Sequence, residues 1–168
     1  VARSTQVPLH ETSPPEQTLA WSDSGVEGSY RFLRRMWAFA AEAQDRMRPA
    51  GARSAPQQAD LDAALSAARR EIHLSLKQAS YDMQRQQFNT VASACMKILN
   101  ALESVPRSAI GPAAAAVVQE GLSILLRLQA PITPHLSHHL WRELGFGPDV
   151  FAASWPQAEE TALEQDEV

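Results

Sequence analysis

Apolar residues recur along this chain at the spacing of helices, and nowhere alternate at length as strands do. Val26, Tyr30, Leu33, Trp37 and Ala40 form one stripe, widened by Phe32, Met36 and Phe39, which predicts a first helix from about Gly25–Gly28 to about Gln44. Pro49, Gly51 and Pro56 break the pattern, so 48–58 reads as a loop. A long second helix follows from Asp60 to Arg85, with Leu61, Leu65, Ala68, Ile72, Leu76, Ala79 and Met83 on one side. A turn at Gln86–Asn89 leads into a third helix, capped by Asn89 or Thr90, with Phe88, Val91, Cys95, Ile98, Leu99 and Leu102 facing inward. The fourth runs from Pro112, a good first-turn residue, to about Gln129. It is apolar around more than half its circumference, which marks it as the central helix. The fifth spans His135 to Leu144 and stops at Gly145–Pro148.

The pattern divides the chain into an irregular lead-in at 1–24, a helical domain at 25–147 and a tail at 148–168 with an acidic end. Short loops between long helices favour antiparallel neighbours, so the expected fold class is all-α, an antiparallel bundle of about five helices.

Composition narrows this only modestly. The 168 residues suffice for one core, and 45% apolar with 20% charged residues is an ordinary globular mixture. No apolar run approaches the ~20 residues of a membrane span, and the N-terminus lacks the order of a signal peptide, so the expectation is a soluble, cytoplasmic protein without a membrane partner. The single cysteine, Cys95, excludes an internal disulfide and lies in an apolar stretch, as a core residue would. Formal net charge is -4, but the last ten residues carry five of the acids and no base. The remaining body is therefore near neutral, and can bind RNA if its bases share one face. The same five like charges predict that Glu159–Val168 is solvated, disordered and dispensable.

Candidate chemistry is sparse. The phosphate-cradling glycine motifs and the serine elbow are absent, which argues against an enzyme by itself. Asp60 and Asp62 suit the positive end of a helix dipole better than catalysis. His135, His138 and His139 approach the spacing of a metal site but lack a further cysteine or acid in register, so no metal is expected. The bases do cluster. At about 100° per residue, Arg31, Arg34 and Arg35 share one arc of the first helix, and Arg69, Arg70, His73 and Lys77 share one arc of the second. Such arcs are candidate phosphate donors; they are also where charged residues on any solvated face would fall.

Three stretches go further. Ser13-Pro-Pro, then Trp21, then Gly25-Val-Glu-Gly-Ser-Tyr-Arg-Phe-Leu33 resembles the segment that opens the helical anticodon-binding domain of bacterial leucyl-tRNA synthetases. Glu71-Ile-His-Leu-Ser-Leu-Lys77 with Phe88-Asn-Thr-Val91 is similar to a second signature of that family. Pro131-Ile-Thr-Pro-His135 with Leu140-Trp-Arg-Glu-Leu-Gly145 is similar to a third, and Trp155-Pro156 follows in both. Order and spacing agree from about Ser13 to the tail. The third stretch is shared with isoleucyl and valyl enzymes; the Gly-Val-Glu-Gly segment favours leucyl. Two departures stand out. Val1–Thr12 does not look like catalytic-core sequence, and His138 and His139 stand where acids are common.

The resemblance implies a tRNA-docking domain of an enzyme that attaches leucine to tRNA. The His-Ile-Gly-His and Lys-Met-Ser-Lys-Ser motifs that bind ATP are missing, so the chain implies no cofactor of its own, and ATP belongs to the catalytic core of the parent. A domain fragment or a truncated gene product is the simplest account. The expected partners are tRNA and that catalytic core, and the expected RNA-binding residues are Arg31, Arg34, Arg35, Arg70, His73, Lys77 and Arg85. Stacked-base readout is not expected, because Trp37 and Phe88 fall on the stripes assigned to the core. The rival reading is a non-RNA helical interaction module, self-associating through an apolar surface exposed around Leu19 and Trp21 of the lead-in.

Overall fold

The structure, a computed structural model, describes residues 23–47 and 55–164. Most of the lead-in at 1–24 and of the loop at 48–58 lies outside them. All regular structure among the described residues is helical: α1 (Asp23–Met47), a 3-10 turn (Gln58–Asp60), α2 (Ala63–Gln84), α3 (Phe88–Ser104), α4 (Pro112–Gln129), α5 (Pro134–Glu143) and a single turn, α6 (Glu160–Leu163). None of these helices is long and apolar enough to cross a membrane.

Local chemistry sets the boundaries. Asp62 accepts the Leu65 N–H at 2.8 Å and caps α2, which accounts for an acid at this position. The expected Asn89 or Thr90 cap is not formed: α3 begins at Phe88 without a side-chain cap, and the Thr90 hydroxyl instead donates to the Gln87 carbonyl at 2.8 Å. Pro112 and Pro134 occupy the first turns of α4 and α5, where their missing N–H costs nothing. At the end of α5, Gly145 adopts φ 71°, a left-handed conformation that favours glycine. Its N–H reaches the Arg142 carbonyl at 2.9 Å, and the Phe146 N–H reaches that of Trp141 at 3.0 Å. The Phe146 ring then tilts against Trp141, centroids 4.9 Å apart, completing a Schellman stop with its hydrophobic contact.

α4 is the hub. It packs on α1, α2, α3 and α5, and Val117, Val118, Leu122, Leu125 and Leu128 are completely buried. α2 and α3 form the most extensive helix pair, with Ile72, Leu76, Val91, Cys95, Ile98, Leu99 and Leu102 between them and α4. Burial pushes the Cys95 thiol up to about 12, as a core cysteine requires. At Gly121 side chains of α2 and α3 press on the α4 backbone: a Cβ added there would lie 2.6 Å from Leu102 Cδ2 and 2.9 Å from Ile72 Cδ1.

α1 departs from its expected face. Phe32, Met36, Phe39, Ala40 and Ala43 are its buried line, whereas Tyr30 and Trp37 are exposed and Val26 and Leu33 half-buried. The core face is rotated by roughly a quarter-turn from the predicted stripe, taking about 100° per residue. The helix carries two apolar strips, and α4 and α3 cover only one of them.

Candidate nucleic-acid interface

The outward side of α1 carries Arg31, Arg34 and Arg35, all exposed. They are separated by one and three residues, so they share an arc away from Met36 and Ala43. Arg31 and Arg34 have no hydrogen-bond or ion-pair partner among the described residues. Arg35 is different. Its guanidinium leans over α3, where Nη2 donates to Asn100 Oδ1 at 2.7 Å and pairs with Glu103, to which Nε also donates at 3.3 Å. That pair is open to solvent, so it contributes little to stability and leaves the charge half neutralised.

A second strip runs down α2. Arg70, Leu74, Lys77, Tyr81 and Arg85 fall within an arc of about 80° at about 100° per residue, and all but the half-buried Arg70 are exposed. The Arg85 guanidinium sits over the Tyr81 ring, 5.4 Å from its centroid, while Nη1 donates to the Tyr81 hydroxyl at 3.0 Å. This holds one cation and one aromatic plane in fixed relation. Lys77 Nζ lies 3.6 Å from Glu160 Oε1 at the start of α6. Leu74 and Tyr81 were not among the residues expected at such a face, although each follows a base of the strip, Arg70 and Lys77, by four residues, which places them there.

His73 is not on this surface, and the expectation that it donates to RNA is corrected, as is the outward placing of Arg69. Both are 1% exposed. On the wheel Arg69 lies only about 20° from Leu76, on the flank of the apolar stripe. α4 and α6 both pack against α2 and close over that flank. Arg69 meets Glu120 of α4 through Nε at 2.8 Å and Nη2 at 3.1 Å, and meets Glu159 through Nη2 at 2.5 Å. His73 Nδ1 accepts the backbone N–H of Glu159 at 3.1 Å, and its Nε2 lies 3.3 Å from Glu120 Oε1. Burial alone would raise the Glu120 carboxyl, but hydrogen bonds and charge from His73 and Arg69 outweigh it and hold the group below the ordinary carboxylate range.

The same contacts correct the expectation of a frayed acidic end for its described part, 159–164; residues 165–168 lie outside the described residues. Trp155 Nε1 donates to Ser80 Oγ at 3.0 Å, Glu159 is held by Arg69 and His73, and Ala162 is buried. The segment from Trp155 to Leu163 is thus strapped to α2. Glu159 and Glu160 are complements to cations of that helix rather than part of a free polyanion. Among the described residues no group of three His, Cys, Asp or Glu side chains is placed to hold a metal ion. The arrangement offers exposed cations on two helices of a rigid core, which suits contact with a polyanion.

Comparison with known proteins supplies the family. Residues 66–168 match the family model described as the anticodon-binding domain of tRNA ligase. Similar relatives include the leucine–tRNA ligase of Aromatoleum aromaticum, 56% identical over 161 residues, which cover 93% of this chain and 18% of that protein. The leucine–tRNA ligase of Coxiella burnetii is 46% identical over 157 residues, covering 93% and 19%. This chain thus spans less than a fifth of the length of these relatives. Among solved structures, the LeuRS of Agrobacterium radiobacter, crystallised as a ternary complex with tRNA and LeuAMS, superposes with a TM-score of 0.72 at 28% identity. The match covers 87% of this chain and 18% of that one.

Proposed function

Because the chain belongs to the anticodon-binding domain family of tRNA ligases, in the form that leucine–tRNA ligases carry, we propose that it docks the body of tRNA during ATP-dependent leucylation by a full-length enzyme. The observation that carries this reading is the exposed pair Arg31 and Arg34, cations without a protein partner among the described residues. Arg35 lies beside them, and Arg70, Lys77 and Arg85 form the second strip. Phosphate contacts of this kind set the position of a nucleic acid without specifying its bases. That suits leucine, whose several codon families have different anticodons. On this reading the chain contributes no reacting group, ATP is held elsewhere in the parent, and the place of action is the cytoplasm, where tRNA is charged.

The test is a tRNA titration over a range of salt. Every arginine withdrawn from a phosphate should reduce the slope of log affinity against log salt by roughly 0.7–0.9. Arg31→Gln/Arg34→Gln should weaken binding to all tRNAs alike, flatten the slope, and leave stability within about 0.5 kcal/mol of wild type. An unchanged slope would make these arginines a solvated face. The area expected for the rival, self-associating reading, around Leu19 and Trp21, lies outside the described residues; among those described, the exposed rings of Tyr30 and Trp37 would serve it. Light scattering on the same samples decides it, since the docking reading requires binding by a monomer.

A further inference from the structure

The outer face of α5 carries a feature that phosphate docking by α1 and α2 does not use. His135, His138, His139 and Arg142 fall within an arc of about 100° at about 100° per residue, half-buried to exposed. Two of the imidazoles are held flat against aromatic rings from other elements. His139 stacks on Trp37 of α1 with centroids 5.2 Å apart and planes within 6°. His138 stacks on Phe151 at 6.0 Å and 11°. The loop that delivers Phe151 is anchored just before it: Val150 is buried, and Asp149 Oδ1 accepts the Phe151 N–H at 2.9 Å while lying 3.5 Å from His138 Nδ1. A cleft of about 390 Å³ opens between this ring and the α5 side chains. Its size is within the range of small-ligand clefts, ~300–1,000 Å³.

We infer that this cleft takes one unpaired nucleotide of the docked RNA, its base extending the His138–Phe151 stack and its phosphate resting on Arg142. Phe151 remains 58% exposed and Trp37 46% exposed even with one ring face covered by an imidazole. Each therefore keeps apolar surface in water that a planar group can cover. A nucleobase meets this need whatever its identity, because every base has a π-face. Arg142 is exposed and has no carboxylate partner among the described residues, so it offers a full positive charge at the mouth of the cleft. Planar stacking platforms beside an unpaired guanidinium match the chemistry of single-stranded nucleotide binding; Glu143 also lines the cleft, so the phosphate is assigned to Arg142 alone. This rests on the reading of the chain as a tRNA-docking domain and adds to it a contact with an unstacked base. The exposure of the Phe151 ring is what permits it; Trp37, also exposed against the expectation that it lies in the core, stacks on His139 and does not line the cleft.

The test titrates the whole 168-residue chain with AMP and follows the imidazole proton resonances by NMR, with ribose 5-phosphate as the base-free control. AMP at millimolar concentration should move the signals of His135, His138 and His139, and ribose 5-phosphate should do so several-fold more weakly. Phe151→Leu and Arg142→Gln, both exposed positions whose folding is checked by circular dichroism, should each weaken AMP about tenfold, a loss of ~1.4 kcal/mol. Arg34→Gln should leave AMP binding unchanged; an equal loss there would put AMP on the docking strip and overturn the cleft. Added tRNA should displace AMP. If AMP binds but tRNA does not displace it, the cleft serves a free nucleotide and the RNA assignment fails. Imidazole signals that do not move with AMP, or that move equally in the Phe151 and Arg142 variants, overturn the site whatever the α1 arginines do.

Discussion

Arg69 and Glu120, 51 residues apart in sequence, join α2 to α4 through two parallel hydrogen bonds of 2.8 and 3.1 Å. Their side chains are only 1% and 14% exposed. The same guanidinium takes Glu159 as a second carboxylate, so one buried cation ties the hub helix, the long helix and the C-terminal strap together.

Removing one partner of such a pair is costlier than removing both. Arg69→Met should lower unfolding free energy by roughly 3–5 kcal/mol, because it leaves Glu120 charged, partly desolvated and unpaired. The double variant Arg69→Met/Glu120→Leu should recover most of that stability. Urea denaturation of the two variants checks this; equal destabilisation would mean that packing, and not charge, dominates the contact.

The network also sets a dependence on acid. Glu120 is held below the ordinary carboxylate range, whose unfolded value is about 4.3, so it binds its proton less readily when folded. Its contribution is therefore complete above about 4.3 and is lost as pH falls through the lower folded value. Glu120→Gln should lower stability at neutral pH and show a shallower decline below pH ~4 than wild type. Thermal melts across that range measure both; parallel declines would show that other carboxylates control acid unfolding.

Gly121 reports on the crossing of α2, α3 and α4. An alanine there gains roughly 1 kcal/mol of helix propensity but overfills a site bounded by the completely buried Leu102 and Ile72. Overpacking costs about 1–3 kcal/mol, so Gly121→Ala should be destabilising by about 1 kcal/mol net, and Gly121→Val by clearly more. A stabilised alanine variant would mean that Leu102 and Ile72 have room to turn aside.

Deletion of 158–168 removes the Glu159 contacts with Arg69 and His73 and the burial of Ala162. Hydrogen bonds to charged groups contribute about 1.5–3 kcal/mol each. At ~2–4 °C per kcal/mol for a chain of this size, the melting temperature should fall by about 4–8 °C. A melting temperature unchanged by the deletion would return the segment to the status of a free acidic tail.

α2 and α3 were legible from the chain because each has one continuous apolar stripe, and a one-sided stripe has only one way to be buried; α4 was legible because it is apolar around more than half its circumference and so must be central. The punctuation was legible for a similar reason: Pro112, Pro134 and Gly145 act through backbone geometry that local sequence controls. The exposure of Arg31, Arg34, Arg35, Lys77 and Arg85 was also visible, since a cation far from any apolar stripe stays in water in whatever fold forms; Arg70, on the same arc, is half-buried. Tertiary structure decided the residues at the margins. Arg69 and His73 lie on the flank of a stripe, where exposure depends on a second neighbour, and that neighbour is supplied by Glu120 and Glu159 from 51 and 86–90 positions away. Trp37 belongs to one of two apolar strips on a single helix, and α4 with α3 covers only one, the strip of Met36 and Phe39. Hydrophobic periodicity records how strongly a residue avoids water, while which competing face is covered follows from the shape of the partner that reaches it first in space.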